Sequence, residues 1–447
     1  MSIPVRKIFG FIIIAIFMVV APAVLLTASG YRYNWKKNSI EKTGVIRIDS
    51  APPGADVIIN DRIQRRKTPS LVTALLPDAY RIRLKKNGYL SWEKTLEVAS
   101  GRTTFANDVV LFKDALPLLV FPMDALAAAM TDDGLRTAYA AKRDGWIEIG
   151  VRDSAAEQTT LLARYAGNAY ADPRLAWSPD GKRLLFRARR ETGGDAIIVY
   201  DAAGADEPTV FDKKLPTGIR SARWSPKSSE LIVAAGNGLY RADADRGTVA
   251  ALKLGIGMAD AIEIDDAVYA IRASAEKTAI IRLAGATEEI AAALPAGKFR
   301  FMDAASLPLM VSDGISMTFT VGASGIEDSI RAPTTSIAMQ KTPADGRVLM
   351  DNDFEIAIWS PASHERTVVT RLGSAIMSAR WHPAGDYVLY GTREAITAVE
   401  LDDRDGINAY DLSRVGGLLD FAVSPDGKTL RFVGEIGNQK GLFERNL

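Results

Sequence analysis

A short turn recurs along most of the chain, and its spacing restricts the fold more than any other feature. Trp177-Ser178-Pro179-Asp180-Gly181-Lys182 is followed by the apolar run Leu184-Leu185-Phe186 and, after a glycine pair, by Ile197-Ile198-Val199-Tyr200-Asp201. The turn returns as Trp224-Ser225-Pro226-Lys227-Ser228, as Trp381-His382-Pro383-Ala384-Gly385 and as Val423-Ser424-Pro425-Asp426-Gly427-Lys428. Weaker copies stand at Thr131-Asp132-Asp133-Gly134 and Pro343-Ala344-Asp345-Gly346. Its chemistry is that of a hairpin connector: Ser caps the start, Pro fixes φ near −65°, Asp bonds its own backbone and Gly accepts positive φ. Successive anchors lie about 39 to 47 residues apart, and one gap of about 118 leaves room for two copies that have lost the turn. The strands 267–272 (AVYAIR) and 307–313 (LPLMVSD) are expected to fill it. Such a period matches the blades of a β-propeller. Eight blades are expected, with seven as the alternative if 116–121 (LPLLVF) supplies a closing strand.

Trp177, Trp224 and Trp381 hold equivalent positions just before the turn, which predicts packing between blades. This part of the chain resembles the WD-like repeats of the TolB-like propellers, with 177–201 as the closest match. In that family the Ser-Pro-Asp-Gly turns are structural, so the resemblance implies a blade and not an activity.

Composition narrows the function. Lys+Arg 55 against Asp+Glu 54 leaves a formal charge of +1, without the basic excess of a nucleic-acid binder. The chain has no cysteine and only two histidines, so disulfides, thiolate nucleophiles, Cys-ligated zinc and multi-histidine metal centres are excluded.

From Ile8 to Gly30 the sequence carries no charge, and about 20 such residues at 1.5 Å each cross a ~30 Å hydrocarbon core. A transmembrane helix is expected, with a cleaved signal peptide as the rival reading. Tyr31, Tyr33 and Trp35 suit the aromatic belt at a lipid interface. Flanking charge leaves the orientation undecided, since Arg6 and Lys7 on one side face Arg32, Lys36 and Lys37 on the other.

Past a polar linker, short apolar runs separated by turn residues predict antiparallel strands. Pro52-Pro53-Gly54-Ala55, Lys67-Thr68-Pro69, Leu76-Pro77-Asp78-Ala79-Tyr80 and Asn87-Gly88-Tyr89 together resemble a PEGA domain. Members of that family are small β-sandwich-like modules found beside membrane anchors in bacterial and archaeal surface proteins. Here Pro53 replaces the eponymous Glu, and Ala79 replaces a frequent Gly. Tyr80, Tyr89 and Trp92 are read as sheet-packing residues and not as a carbohydrate platform.

The expected organisation is all-β behind one helix: 1–7 a short cytoplasmic N-terminus, 8–30 a transmembrane helix, 31–43 a juxtamembrane linker, 44–113 a PEGA-like β-sandwich and 114–447 the propeller. No catalytic residue, cofactor or metal ligand is expected. A hydrolase would need a Gly-x-Ser-x-Gly elbow, whereas Gly322-Ala323-Ser324-Gly325 has the wrong spacing and reads as a hairpin tip. His364 and His382 read as exposed turn residues. Asp402-Asp403-Arg404-Asp405-Gly406 and Asp243-Ala244-Asp245 read as solvated loops, lacking the ligand ladder that calcium requires. Both resemblances imply an extracytoplasmic protein of the bacterial cell envelope, tethered by its helix, that binds an envelope protein or a glycan such as peptidoglycan. An envelope enzyme acting on glycans through carboxylates of the propeller funnel and a structural surface-layer component are the alternatives.

Overall fold

The computed structural model describes residues 3–255, 257–285, 287–303, 308–340 and 346–447. They divide into two units, one running to Ala115 and including Glu400–Asn408, the other formed by Leu116–Val399 and Ala409–Leu447.

The first unit opens with a helix, Ile3–Ala28, that continues through Pro22. Within it Phe9–Ala28 has a mean hydropathy of 2.9 and no residue buried against protein. Length and composition suit a membrane anchor or a signal sequence. The helix stops at Gly30, whose φ of +84° a residue with a Cβ rarely adopts. The next twelve residues, expected to be a linker, form a hairpin instead, Tyr31–Asn34 against Ser39–Lys42. Asn34 Oδ1 accepts from the amides of Lys36 and Lys37 and so builds the turn. Thr43 fixes the hairpin to the helix end, donating from both its amide and its Oγ1 to the Gly30 carbonyl, at 2.7 and 2.8 Å.

Two sheets follow. Gly44–Ala51 lies between Ser70–Leu75, antiparallel, and Thr103–Val110, parallel. The second sheet orders Arg62–Ile63, Asp56–Ile59, Asp78–Lys85 and Trp92–Val98. Period-two alternation places Ile46, Ile48, Val57, Ile82, Leu84, Trp92 and Leu96 in the core, none more than 1% exposed. Fully burying each such side chain stabilises by roughly 1.5–3 kcal/mol. Gly54, with φ +86°, lets the chain turn so that its amide reaches the Thr68 carbonyl at 2.7 Å.

The second unit consists, among the described residues, of eight four-stranded antiparallel sheets: 124–166, 170–210, 219–253, 260–295, 300–330, 336–371, 376–414, and a last one that joins Leu118–Pro122 to 416–446. They are blades 1 to 8 in that order. The two strands expected in the long gap are the second strands of blades 4 and 5, Ala267–Ala273 and Leu309–Ser312; Leu307 of the second expectation is outside the described residues. The segment that would have reduced the count instead completes blade 8, with Leu118 opposite Glu444 and Pro122 opposite Gly441. First strands touch between most successive blades, blade 1 against blades 2 and 8 among them, so they surround the axis. Second and third strands are the most buried, as in Leu231 to Ala235, all at 0%.

The repeated turn joins first strand to second. In blade 2, Ser178 Oγ donates to Asp180 Oδ1 (2.6 Å) and accepts from the Arg183 amide (2.9 Å), while Lys182 N donates to Asp180 (3.0 Å). Ser424 and Asp426 repeat this in blade 8. Thr131 and Asp133 repeat it in blade 1, so that weak copy is complete with Thr for Ser. Blade 4 replaces the turn by two residues of positive φ, Asp265 and Asp266. The other weak copy, Pro343 to Asp345, is outside the described residues.

Candidate binding site on the propeller axis

The axial strands carry more charge than a packed ring requires. Two carboxylates there have fixed roles. Asp260 on the first strand of blade 4 accepts from Arg223 of blade 3 at 2.9 Å, from the Phe301 amide of blade 5 at 2.9 Å and from the Ala261 amide. Asp420 on the first strand of blade 8 repeats the arrangement, accepting from Arg380 of blade 7 and the Met130 amide of blade 1, both at 2.8 Å, and from the Phe421 amide. Each aspartate therefore ties three consecutive blades together. Charge-assisted bonds of this kind contribute about 1.5–3 kcal/mol apiece.

Arg174 and Arg187 differ from Arg223 and Arg380. They face each other across the first and second strands of blade 2, in direct register. Leu185, on the same side of its strand as Arg187, packs into the core shared with blade 3, whereas Phe186 packs toward blade 1. The two arginines accordingly share the face toward blade 3. No hydrogen bond or ion pair engages either guanidinium among the described residues. Arg187 is partly buried, and burial lowers its pKa below the ordinary arginine value; Asp195 opposes the shift, while Arg174 and Arg223 add to it. Nothing in the local sequence beyond an arginine at an inward position of an apolar strand, LLFRAR, announces this pair.

The residues picked out from sequence fall elsewhere. The three tryptophans each donate from Nε1 to a carbonyl of the preceding blade's first strand: Trp177 to Ala129, Trp224 to Ala176 and Trp381 to Ala338, at 2.9, 3.1 and 2.9 Å. They hold blades together, as their spacing implied. His382 corrects its expectation. It is 4% exposed, accepts from the Ala384 amide at Nδ1 and places Nε2 3.2 Å from the Gly427 carbonyl of blade 8. The ring copies the serine cap and reaches one blade further, and burial lowers its pKa. His364 is exposed, with Asp328 at 3.7 Å. Gly322 and Gly325 flank a hairpin turn. Asp243 caps the next turn through the Asp245 and Arg246 amides.

The string from Asp402 to Gly406 is an aspartate-capped turn, exposed from Asp403 to Gly406, that also takes part in a buried ion-pair network. Within the first unit Lys94, its side chain 1% exposed, meets Glu400 at 3.1 Å and donates to the carbonyls of Asp402 and Gly406. Trp92 Nε1 and Asn408 Nδ2 occupy the two oxygens of Glu400 at 3.0 and 2.8 Å, and Asp405 accepts from the Thr95 amide at 2.6 Å. Trp92 is thus a buried sheet residue; Tyr80, half-buried, donates to the Leu76 carbonyl, and Tyr89 bridges to Lys113. Two shallow cavities, about 280 and 350 Å³, lie on the propeller face opposite the Ser-Pro-Asp-Gly turns, beside Trp146 and beside Arg393.

Comparison with known proteins agrees with this architecture. The PEGA domain family matches residues 43–110. No curated protein matches the chain. Among solved structures, one described as the Dos1 propeller is 15% identical, covers 74% of this chain and 95% of that chain, and superposes with a TM-score of 0.52. That likeness shows the propeller fold and nothing of its activity. A mitotic checkpoint complex (14% identity, 74% of this chain and 93% of that one, TM-score 0.41) and a eukaryotic initiation factor (14%, 73% and 89%, 0.49) match less well and carry no weight here.

Proposed function

We propose that this protein is a binding or scaffold protein of the bacterial cell envelope, tethered by its N-terminal helix, with the PEGA domain and a TolB-like propeller on the extracytoplasmic side and no catalytic role. The observation that carries the reading is the helical segment Phe9–Ala28, apolar on every side, in a helix followed by a folded hairpin and a PEGA domain. Tyr33 and Trp35, in edge contact at 4.7 Å and exposed, stand where the chain would leave the lipid. Against the enzyme reading, the axial carboxylates Asp260 and Asp420 are committed to arginine and backbone amides. An acid or base must instead be free to reach its proton. The partner in this reading is an envelope protein held by the propeller.

Protease treatment of intact and lysed cells, following an epitope at the C-terminus, tests it. Digestion in intact cells, with the protease able to enter the envelope compartment, is expected; protection until lysis reverses the topology and overturns the proposal.

A further inference from the structure

We infer that Arg174 and Arg187 form a receptor for a single carboxylate carried by a peptide partner, which rests on reading the propeller as a binding module. Two guanidiniums in direct cross-strand register repel each other, and like charges so placed cost stability unless an anion lies between them. Other arginines near the axis have partners: Arg223 pairs with Asp260 and Asp303, Arg220 donates to the Met258 and Gly236 carbonyls, and Arg380 pairs with Asp420 through Nη2, although its Nε is left without a bond. Arg187 lies in the field of Asp195 and Asp260 but hydrogen-bonds to neither. The Ile219 amide donates to Asp195, and Arg223 with two amides occupies Asp260. No nitrogen of Arg187 is sealed from water, so its donors remain reachable.

The chemistry of the site selects its ligand. Planar guanidinium forks match the two oxygens of a carboxylate. Asp195 and Asp260 close by disfavour a dianion such as phosphate. The strands of blade 2 on this face carry Ala171, Ala176, Leu185 and Arg189 and no aromatic ring, and the Trp224 indole of blade 3 that reaches Ala176 is engaged in the core between the blades and by its bond to the Ala176 carbonyl, so the face itself gives a sugar ring no stacking platform. An acidic side chain of a peptide needs no more than the site offers.

The test uses the full chain in detergent at constant ionic strength, reading the thermal midpoint against acetyl-Gly-Glu-Gly-amide, its Gln counterpart, glucuronate and inorganic phosphate. The Glu peptide is expected to raise the midpoint saturably and the Gln peptide to leave it unmoved. Arg187→Met and Arg174→Met should each weaken the Glu peptide at least about tenfold, the loss of one charge-assisted hydrogen bond. Arg174 is exposed, so its variant keeps the test valid should Arg187→Met fail to fold. Equal responses to Glu and Gln peptides, equal or tighter response to glucuronate or phosphate, or unchanged affinity in a folded variant overturns the inference. Solubilised protein has no sidedness, so failure here is distinguishable from failure of the topology.

Discussion

Asp351 closes the second strand of blade 6 with its carboxyl buried, bonded by Ser336 Oγ at 2.5 Å and by Thr335 Oγ1 at 3.3 Å. Burial dominates these bonds and pushes its pKa up to about 6 from 3.8. Between those values the folded state holds a proton that the unfolded chain has released, so this contribution to stability falls as pH rises from about 4 to 6. Asp351→Asn should therefore match the wild type below pH 4 and exceed it above pH 6 by on the order of 2–3 kcal/mol, read from urea midpoints at pH 4 and 7.5. His382 works in the opposite sense: burial depresses its pKa, so its contribution is present above the ordinary histidine value and is lost as pH falls below it. Its burial was not legible because the sequence shows a histidine in a turn but not Gly427 of the next blade against its ring. A Cβ on Gly427 would stand 2.8 Å from that ring. The turn glycines were legible as backbone requirements, since Gly134, Gly181 and Gly427 all have φ between 65° and 71°. Their second duty, close approach to a neighbour, depends on tertiary contacts that no local pattern carries.

At the scale of elements, the turn motif located six blades because it encodes hairpin geometry in its own atoms. Blades 4 and 5 were recoverable only from the period, because Asp265-Asp266 achieves the same reversal with different residues. The engagement of segment 400–408 with Lys94 was hidden for a related reason. Its aspartates resemble every other capped turn in sequence, yet they surround Lys94, and long-range pairing of that kind leaves no periodic trace. Lys94→Met leaves the Glu400 carboxylate buried without its cation and should cost about 3–5 kcal/mol. Pairing Lys94→Met with Glu400→Gln should recover a large part of that loss. Limited proteolysis within 400–408 reads both variants: rapid cleavage in the single variant and slower cleavage in the double one are expected, and equal resistance to wild type would show the ion pair to be dispensable. The hairpin at 31–42 was likewise hidden, since polar, cation-rich sequence reads as linker until Asn34 is seen to build its turn.

On the scale of the whole molecule, the two ends of the propeller chain meet in one strand pairing, Leu118–Pro122 with Gln439–Asn446, which closes the ring together with the Asp420–Met130 bond and the pair Lys440–Asp124, 316 residues apart. Gly441 permits it: a Cβ there would collide with the Phe121 carbonyl and crowd the Cα of Pro122 at 3.0 Å. Gly441→Val should accelerate amide exchange at 118–122 and lower the unfolding midpoint by several degrees, while exchange within blades 2 to 4 stays as in the wild type. Unchanged protection at 118–122 would mean that closure does not rest on this strand.

The same pairing determines how the protein would carry tension. In the proposed tethered form, the covalent routes from the propeller to the anchor are the points at which the chain leaves its blades. One exit is at Leu116, just before the closing strand, and the other two are at Val399 and Ala409, the edges of the 400–408 segment in blade 7. These routes leave from two adjacent blades, 8 and 7, and the first begins at the strand that closes the ring. The seam of the ring is therefore also the fastening of the tether, so a load that opened one would loosen the other in the same step.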